Sequence, residues 1–133
     1  MKRTVKEVRT IKNIFIAVDG TEFEDYEEAL YYEHDLYRDA DELRMFDTEG
    51  YASNTIDCEV VVFKSEGALH NFIEISDFEG YETIGLDYDS ELGMYFWESI
   101  NGKKGWYTPK ALLESRKDEI NEVIKDCGGE LLE

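Results

Sequence analysis

Negative charge is crowded into the middle of this 133-residue chain, and this crowding limits what the chain can fold into. Residues 19–98 hold 24 acidic and three basic residues, whereas residues 1–18 hold five basic residues and a single acidic one. The whole chain carries a net charge of −18 at pH 7. Ionised carboxylates stay in water, so any fold must leave these side chains at its surface. The negative potential therefore belongs to the body of the chain and not to a disordered tail.

Aromatic residues supply the apolar surface that a core needs despite this charge. The chain contains 9 Tyr, 7 Phe and 2 Trp, and hydrophobic residues make up 42% of it. A chain of this composition can bury enough apolar surface to offset the loss of chain entropy, which excludes global disorder. The length suits one compact domain, so residues 1–133 are predicted to form a single domain.

The first part of the chain is typical of a hairpin followed by a helix. Residues 13–18 are nearly all apolar and favour a strand that is covered on both faces. Asp19-Gly20 predicts a two-residue hairpin turn, in which both positions take a positive φ, and residues 21–23 return as a short strand. Residues 24–37 then place apolar side chains at helical spacing, with acidic residues in the first turns.

The rest of the chain alternates between strand and helix patterns. Further strands are predicted over residues 43–47, 59–63, 82–86 and 94–98. Ser65 can cap a helix over residues 66–76, and residues 101–105 read as a loop. The resulting fold class is α+β: a mostly antiparallel sheet packed with two or three helices, with an N-terminal hairpin then a helix, and a C-terminal helix.

The last helix has the strongest boundary signals. Thr108 is a good N-cap and Pro109 suits the first helical position, where a missing N–H is harmless. The helix is expected to run to about Asp126 and to end before Gly128-Gly129. Arg116 interrupts its apolar stripe, so this side chain either extends to the edge of the core or pairs with a carboxylate such as Glu33.

One acidic segment matches part of a calcium-binding loop. Asp87, Asp89 and Glu91, with Glu98 at the twelfth position, supply oxygen atoms at the spacing of an EF-hand. The sixth position is Leu92, however, where the sharp turn of such a loop needs glycine. The flanking residues favour strands and not helices. An acidic turn between two strands is therefore the preferred interpretation, with a calcium site as the alternative.

No other motif indicates catalysis or a cofactor. His34 and His70 are predicted to lie on helices in surface or packing roles, and no spacing brings either beside a partner. Cys58 and Cys127 fall in apolar patterns and are predicted to be buried, inert thiols. A catalytic arrangement formed only in space stays an alternative, but the prediction is a protein that is not an enzyme and holds no cofactor or metal.

The charge also excludes several classes of partner. Direct binding to DNA, RNA or an anionic membrane is disfavoured because their phosphates would be repelled. No apolar run approaches the roughly 20 residues of a membrane span, and the first residues lack the apolar segment of a signal peptide. Two cysteines are too few for a disulfide framework, which favours a reduced, cytoplasmic protein.

The acidic surface has two interpretations: it confers solubility only, or it imitates the phosphates of a nucleic acid for a basic partner protein. Phosphates along one strand lie about 6–7 Å apart. On a helix, Glu24 and Glu28 would be separated by about 6 Å along the axis, with Asp35 about 10 Å further. The predicted partner-binding residues are Glu24, Glu27, Glu28, Asp35, Glu79, Asp87, Asp89 and Glu91.

Two segments resemble a group of small acidic bacteriophage proteins. The strand, Asp-Gly turn and helix of residues 14–33 are similar to their N-terminal part, and residues 93–97 with Trp106 and a closing helix are similar to their C-terminal part. Most proteins of this group have no known function, but small acidic phage proteins include anti-restriction and anti-CRISPR inhibitors. The resemblance therefore implies a phage-encoded inhibitor of host defence, and it transfers no functional residue.

Together these observations favour a non-enzymatic phage protein that binds a host defence protein in the host cytoplasm. The expected partner is a nuclease with a basic, nucleic-acid-binding surface, which the acidic face would occupy. The alternative is a phage accessory or structural protein whose acidity only keeps it in solution. Such a protein would contact its partner through aromatic residues, of which the candidates are Tyr95, Trp97, Trp106 and Tyr107.

Overall fold

The structure is a computed structural model that describes residues 13–49, 58–100 and 102–133. The loop predicted at residues 101–105 contains one residue outside these ranges. The described strands are β1 (Phe15–Ile16), β2 (Glu22–Phe23), β3 (Leu43–Asp47), β4 (Glu59–Phe63), β5 (Gly93–Ile100) and β6 (Lys103–Tyr107). The described helices are α1 (Tyr26–Asp39), α2 (Glu66–Glu79) and α3 (Pro109–Cys127).

A four-stranded antiparallel sheet forms the middle layer, with strand order β3-β4-β5-β6. Successive side chains of a strand point to opposite faces, so each strand serves two cores. On β4, Val61 and Phe63 join a core cluster with α1 and α2, whereas Val60 joins another with α3. The helices α1 and α2 therefore cover one face of the sheet and α3 covers the other. This architecture confirms the predicted α+β class.

Aromatic rings pack between α2 and the sheet. Phe72 of α2 lies 5.2 Å from the ring centroid of Phe63 and 5.6 Å from that of Trp106. Both contacts are edge-on, the geometry in which the positive edge of one ring meets the negative face of the next. Leu69, directly before this turn of α2, is fully buried. This cluster anchors α2, on which the position of α1 depends.

The core on the other face of the sheet contains apolar side chains of α3, as the apolar stripe of this helix predicts. Ile120, Val123 and Ile124 are buried against Val60 and Phe96 of the sheet. The predicted helix ends are also confirmed, because Thr108 accepts a hydrogen bond from the N–H of Ala111, Pro109 opens the helix and Gly128 closes it in the left-handed conformation (φ 77°).

Arg116 interrupts α3 for a structural reason. Its backbone leaves the helical region (φ −143°, ψ 26°), which kinks the helix. The side chain forms an ion pair with Glu98 of β5, with 2.7 Å between Nη1 and Oε2. Pairing with a carboxylate was one of the two predicted outcomes, but Glu33 was the wrong example. Glu33 lies on α1, across the sheet from α3.

The N-terminal hairpin has shorter strands and a longer turn than predicted. Its turn is a three-residue loop over residues 18–20. The N–H of Ala17 donates to the carbonyl of Thr21, and the N–H of Gly20 donates to the carbonyl of Ala17. Only Gly20 takes a positive φ (90°) there, which fits a type I turn followed by a bulge and not the predicted two-residue turn. Ile16 is 65% exposed, so the prediction of a strand covered on both faces was also wrong.

Residues 82–86 do not form the predicted strand. The segment makes one ladder-like bond to β6, from the N–H of Trp106 to the carbonyl of Ile84 (2.7 Å). It then turns away at Gly85, where φ is 91° and the backbone passes directly over the Trp106 carbonyl. Local β-propensity was overridden here by a turn that only glycine accommodates.

Other boundaries differ by a few residues. The first helix begins at Tyr26, not at residue 24, because the Asp25 side chain accepts from the N–H of Glu27 and caps it. The second helix runs beyond residue 76 to Glu79, where Gly80 ends it. The strand β6 already begins at Lys103, inside the predicted loop.

We expect the Gly85→Ala variant to be destabilised much more than the Gly80→Ala variant. Both residues have a positive φ, which costs an alanine about 1–2 kcal/mol. A Cβ at Gly80 meets nothing within 4 Å, whereas one at Gly85 collides with the Trp106 carbonyl oxygen. Urea denaturation should show a loss of about 3 kcal/mol for Gly85→Ala and about half of that for Gly80→Ala. Equal losses would contradict the close approach of residue 85 to β6.

The Thr108 cap gives a second test of the fold. Thr108→Ala removes the acceptor of the Ala111 N–H and should lower the free energy of unfolding by about 1 kcal/mol. Thr108→Ser keeps the acceptor and serves as the control, which should stay close to the original protein. A Thr108→Ala variant with an unchanged melting temperature would show that α3 does not depend on this cap.

Candidate functional site

The helices α1 and α2 run antiparallel, which sets the arrangement of the acidic residues. Near the start of α1, the ring of Tyr26 lies 6.1 Å from that of Phe78 near the end of α2. Near the end of α1, the ring of Tyr37 lies so close to Gly67, in the first turn of α2, that a Cβ there would sit 2.9 Å from Cζ. The start of α1 therefore lies beside the end of α2. We call this region, which includes Glu27 and Glu28 of α1 and Glu79 of α2, the acidic end.

A buried amide fixes the register of the helix pair. Asn71 is only 2% exposed, and its Nδ2 donates to the carbonyl of Leu30 across the helix interface (3.1 Å). A second, longer contact of 3.5 Å joins the same amide to the Glu33 carboxylate. A buried polar group is costly unless it is hydrogen-bonded, so the Nδ2 contacts favour this register of α1 on α2, whereas the buried Oδ1 has no partner among the described residues.

Tyr31 links the acidic residues of the two helices at the acidic end. Its hydroxyl donates a hydrogen bond to Glu79, the last residue of α2. This bond, burial and the charge of Glu79 raise the pKa of Tyr31 to about 12, and the charge of Glu27 adds a smaller contribution, because ionising the phenol would place another negative charge there. Glu27 and Glu79, both predicted as partner-binding residues, thus share one negative region.

Helix dipoles act differently on the two groups at the acidic end. Glu27 and Glu28 occupy the first turn of α1, where the positive end of the dipole partly offsets their charge. Glu79 lies at the negative end of α2, whose last turn has no basic residue. The end of α2 therefore adds to the negative potential of its carboxylates.

All eight predicted partner-binding carboxylates are exposed to solvent. Their predicted spacing is only partly right, because Glu24 precedes the Asp25 cap and so does not lie on α1. The helical spacing of about 6 Å between Glu24 and Glu28 therefore does not apply. Glu28 and Asp35 do lie on α1, two turns apart.

The acidic loop before β5 packs against α2. Its Tyr88 packs edge-on against His70 at 4.7 Å between ring centroids, and the Tyr88 carbonyl lies 3.0 Å from the His70 Nε2. The predicted packing role of His70 is thus confirmed. The Asp87 carboxylate accepts from the N–H of Asp89 (2.8 Å) within a tight turn. The predicted carboxylates therefore fall into two groups, one on or next to the helix pair and one in the loop before β5.

The calcium-loop alternative does not match this geometry. Glu98, which would close the loop, lies on β5 and holds Arg116. Among residues 13–49, 58–100 and 102–133, no three histidine, cysteine or acidic side chains are grouped so that they could hold a metal ion. The segment forms the predicted acidic turn, although only β5 and not a second strand flanks it.

A cleft of about 860 Å³ opens beside the acidic end, between the helices and the sheet. Trp97 of β5 lines it, with the ring of Trp106 beneath at 5.3 Å. Its walls include the paired positions Asp47 of β3 and Glu59 of β4, together with Glu79 from the acidic end. The carboxylates of the cleft and of the acidic end thus form a continuous surface.

His34, for which the sequence predicts a surface or packing role, is a titratable residue that lines the cleft. Its Nδ1 is buried and has no hydrogen-bond partner among the residues that the structure describes. Burial lowers the pKa of His34, and the charge of Arg38 lowers it further, so the fold favours the neutral ring. Both cysteines are buried as predicted, and Cys58 also reaches the cleft.

The cleft itself was missed from the sequence. Alternation along β5 places Trp97 on the same face as Tyr95, and this was readable from the strand pattern. The pairing of Asp47 with Glu59 depends on the sheet register, which the sequence did not define.

Comparison with known proteins gives no relative: no family model, no curated protein and no solved structure matches this chain. The resemblance to small phage proteins therefore stays a prediction. Within the part of the chain that the structure describes, no helix is both long and apolar enough to cross a membrane.

We expect Glu74→Gln to raise the melting temperature at pH 7. Burial raises the pKa of Glu74, and the nearby charge of Glu33 raises it further, so the ionised form is disfavoured in the folded state. The gain should be about 2 °C at neutral pH and should shrink as the pH falls through the raised pKa, where Glu74 takes up a proton. Glu122→Gln, an exposed change on α3, is the control and should have little effect. A gain that does not depend on pH would contradict this account.

Proposed function

We propose that this protein is a non-enzymatic, phage-encoded inhibitor that binds a host defence protein in the host cytoplasm. Its partner would be a nuclease, engaged at the basic surface that otherwise binds nucleic acid. The observation that carries the proposal is the antiparallel packing of α1 on α2, which gathers exposed carboxylates from distant parts of the chain at the acidic end. A basic surface is the natural complement of such a region.

The electrostatics of the acidic end support binding over mere solubility. Net charge alone would keep the protein in solution if the carboxylates were spread evenly. Instead, Glu79 is placed at the negative end of α2 without a basic residue in that turn. Such concentrated charge acts over distance and accelerates association with a basic partner, at a rate that falls with salt.

The structure favours a match of charged patches over a copy of the phosphate ladder. Glu24 lies outside α1, so the regular series of Glu24, Glu28 and Asp35 is not formed along one helix axis. Glu28 and Asp35 alone are about 10 Å apart along the axis, which differs from the phosphate spacing of about 6–7 Å. The proposed inhibitor therefore opposes a basic surface with a broad negative field.

The alternative aromatic interface receives less support. Tyr95 and Trp106 are only 5% and 6% exposed, so these candidates belong to the core. Trp97 and Tyr107 are half-buried, and the hydroxyl of Tyr107 donates to the Lys103 carbonyl. A partner could reach only part of the predicted set without disturbing the fold.

A matched pair of charge reversals tests the proposal. The first variant carries Glu24→Lys, Glu28→Lys and Asp35→Lys at the acidic end and along α1. The control carries Glu122→Lys, Glu130→Lys and Glu133→Lys, which are exposed positions on α3 and after it. Each variant changes the net charge by six units, and both should stay folded, because exposed substitutions usually cost within about 0.5 kcal/mol.

The partner is first isolated from a bacterial lysate as a protein that the unaltered chain retains at low salt and that duplex DNA displaces. The first variant should then associate with it at least about tenfold more slowly, with a weaker dependence on salt, while the control changes much less. If the association rate falls by the same factor in both variants, only total charge matters and the acidic end is not the binding surface. If no retained protein is displaced by DNA, the proposed class of partner is wrong.

A further inference from the structure

The aromatic floor of the cleft is packed against buried rings and is partly open to solvent. Trp97 is half-buried, whereas Tyr95 and Phe96 before it are buried. The ring of Trp106 supports the Trp97 indole at 5.3 Å, and Phe72 in turn supports Trp106. An indole held in this way offers a fixed π-face without the entropy cost of ordering a mobile side chain.

Carboxylates outnumber cations around this floor. Asp47 and Glu59 lie opposite each other on β3 and β4, and both are exposed. Like charges at paired positions of two strands are unfavourable, so this pair is kept at some cost in stability. Glu79 and Glu82 add two further carboxylates, whereas Lys104 is the one basic residue among the described residues that line the cleft.

The combination of an aromatic face and carboxylates fits a guanidinium group. A cation is attracted to the face of tryptophan, and a planar guanidinium can stack there while its edge forms paired hydrogen bonds with a carboxylate. Lysine offers a compact charge that does not stack in this way. None of the arginines that the structure describes lines the cleft, and Arg44 and Arg116 are held by Asp41 and Glu98.

We propose that the cleft receives an arginine side chain of the basic partner, with the guanidinium on Trp97 and between the carboxylates of Asp47, Glu59 and Glu79. This inference rests on the proposed function and identifies the partner's contact chemistry. Basic surfaces that bind phosphates are rich in arginine, so an exposed arginine there would be available to the cleft. The acidic end would attract the partner, and the cleft would determine which part of it docks.

Short peptides test the cleft without the natural partner. The probe is acetyl-Arg-Arg-Arg-amide, with acetyl-Lys-Lys-Lys-amide as a probe of equal charge. Binding is measured by calorimetry, and the indole N–H signals of Trp97 and Trp106 are followed by NMR. The arginine peptide should bind several-fold tighter than the lysine peptide and should shift the Trp97 signal more than that of Trp106. Equal affinities for the two peptides would overturn the proposal.

Two charge-removing variants give the matched control. Asp47→Asn with Glu59→Gln removes two negative charges from the cleft, and the amide oxygen introduced at position 47 can still accept from the N–H of Glu49. Glu122→Gln with Glu130→Gln removes the same charge across the sheet. The cleft variant should bind the arginine peptide about tenfold more weakly, and the control less than about twofold. Equal losses would assign binding to net charge and refute the cleft. Since all four positions are exposed, neither variant should unfold.

Three further outcomes separate the possible occupants and the two proposals. If the arginine peptide binds only after Arg3 and Arg9 are changed to glutamine, the cleft is filled by the chain's own N-terminal segment, and the proposal is wrong. If the cleft variant binds both peptides normally while DNA-displaced partner binding still depends on Glu24, Glu28 and Asp35, the cleft proposal fails and the proposed function stands. If peptide binding behaves as expected but no basic partner is found, the proposed function fails instead.

Discussion

The contact between α1 and α2 is the constraint on which the rest of this structure depends. It places two acidic helix ends side by side, which Coulomb repulsion opposes, and it is held by apolar contacts and one buried amide. Asn71 fixes the register through the Leu30 carbonyl, and Phe72 anchors α2 to the sheet through Phe63 and Trp106. Burial of such rings stabilises a domain by several kcal/mol, which exceeds the cost of exposed charge pairs of about 1 kcal/mol or less.

This balance connects stability to the proposed function. Surface carboxylates that only confer solubility would be spread so that they repel one another least. Here burial and the charge of Glu33 raise the pKa of Glu74, and Asp47 of β3 is paired with Glu59 of the neighbouring strand β4. Each arrangement costs stability, and under the proposed function the Asp47 and Glu59 pair becomes favourable when a cation of the partner approaches. Sites that bind by charge often show this exchange of stability for function.

The sequence predicted correctly those helices and strands whose ends or conformation are set by nearby residues. Ser65, Thr108 and Pro109 define helix starts through side-chain acceptors and a fixed φ, and the run of valines in β4 leaves little choice but a strand. The failures came where a distant contact decides. Gly85 turns away because of Trp106, and Arg116 is paired with a residue of another element. The cleft could not be predicted because its walls come from all four strands of the main sheet and two helices, and composition does not define their register.

The most direct test of the central claim is to label carboxylates with a carbodiimide and an amine, with and without the DNA-displaced partner bound. Mass spectrometry then gives the extent of modification at each acidic residue. The account predicts that Glu27, Glu28 and Glu79 are protected in the complex, while Glu122 and Glu130 across the sheet react as in the unbound protein. Uniform protection of all these residues, or protection only on the α3 side, would contradict the assignment of the acidic end as the binding surface.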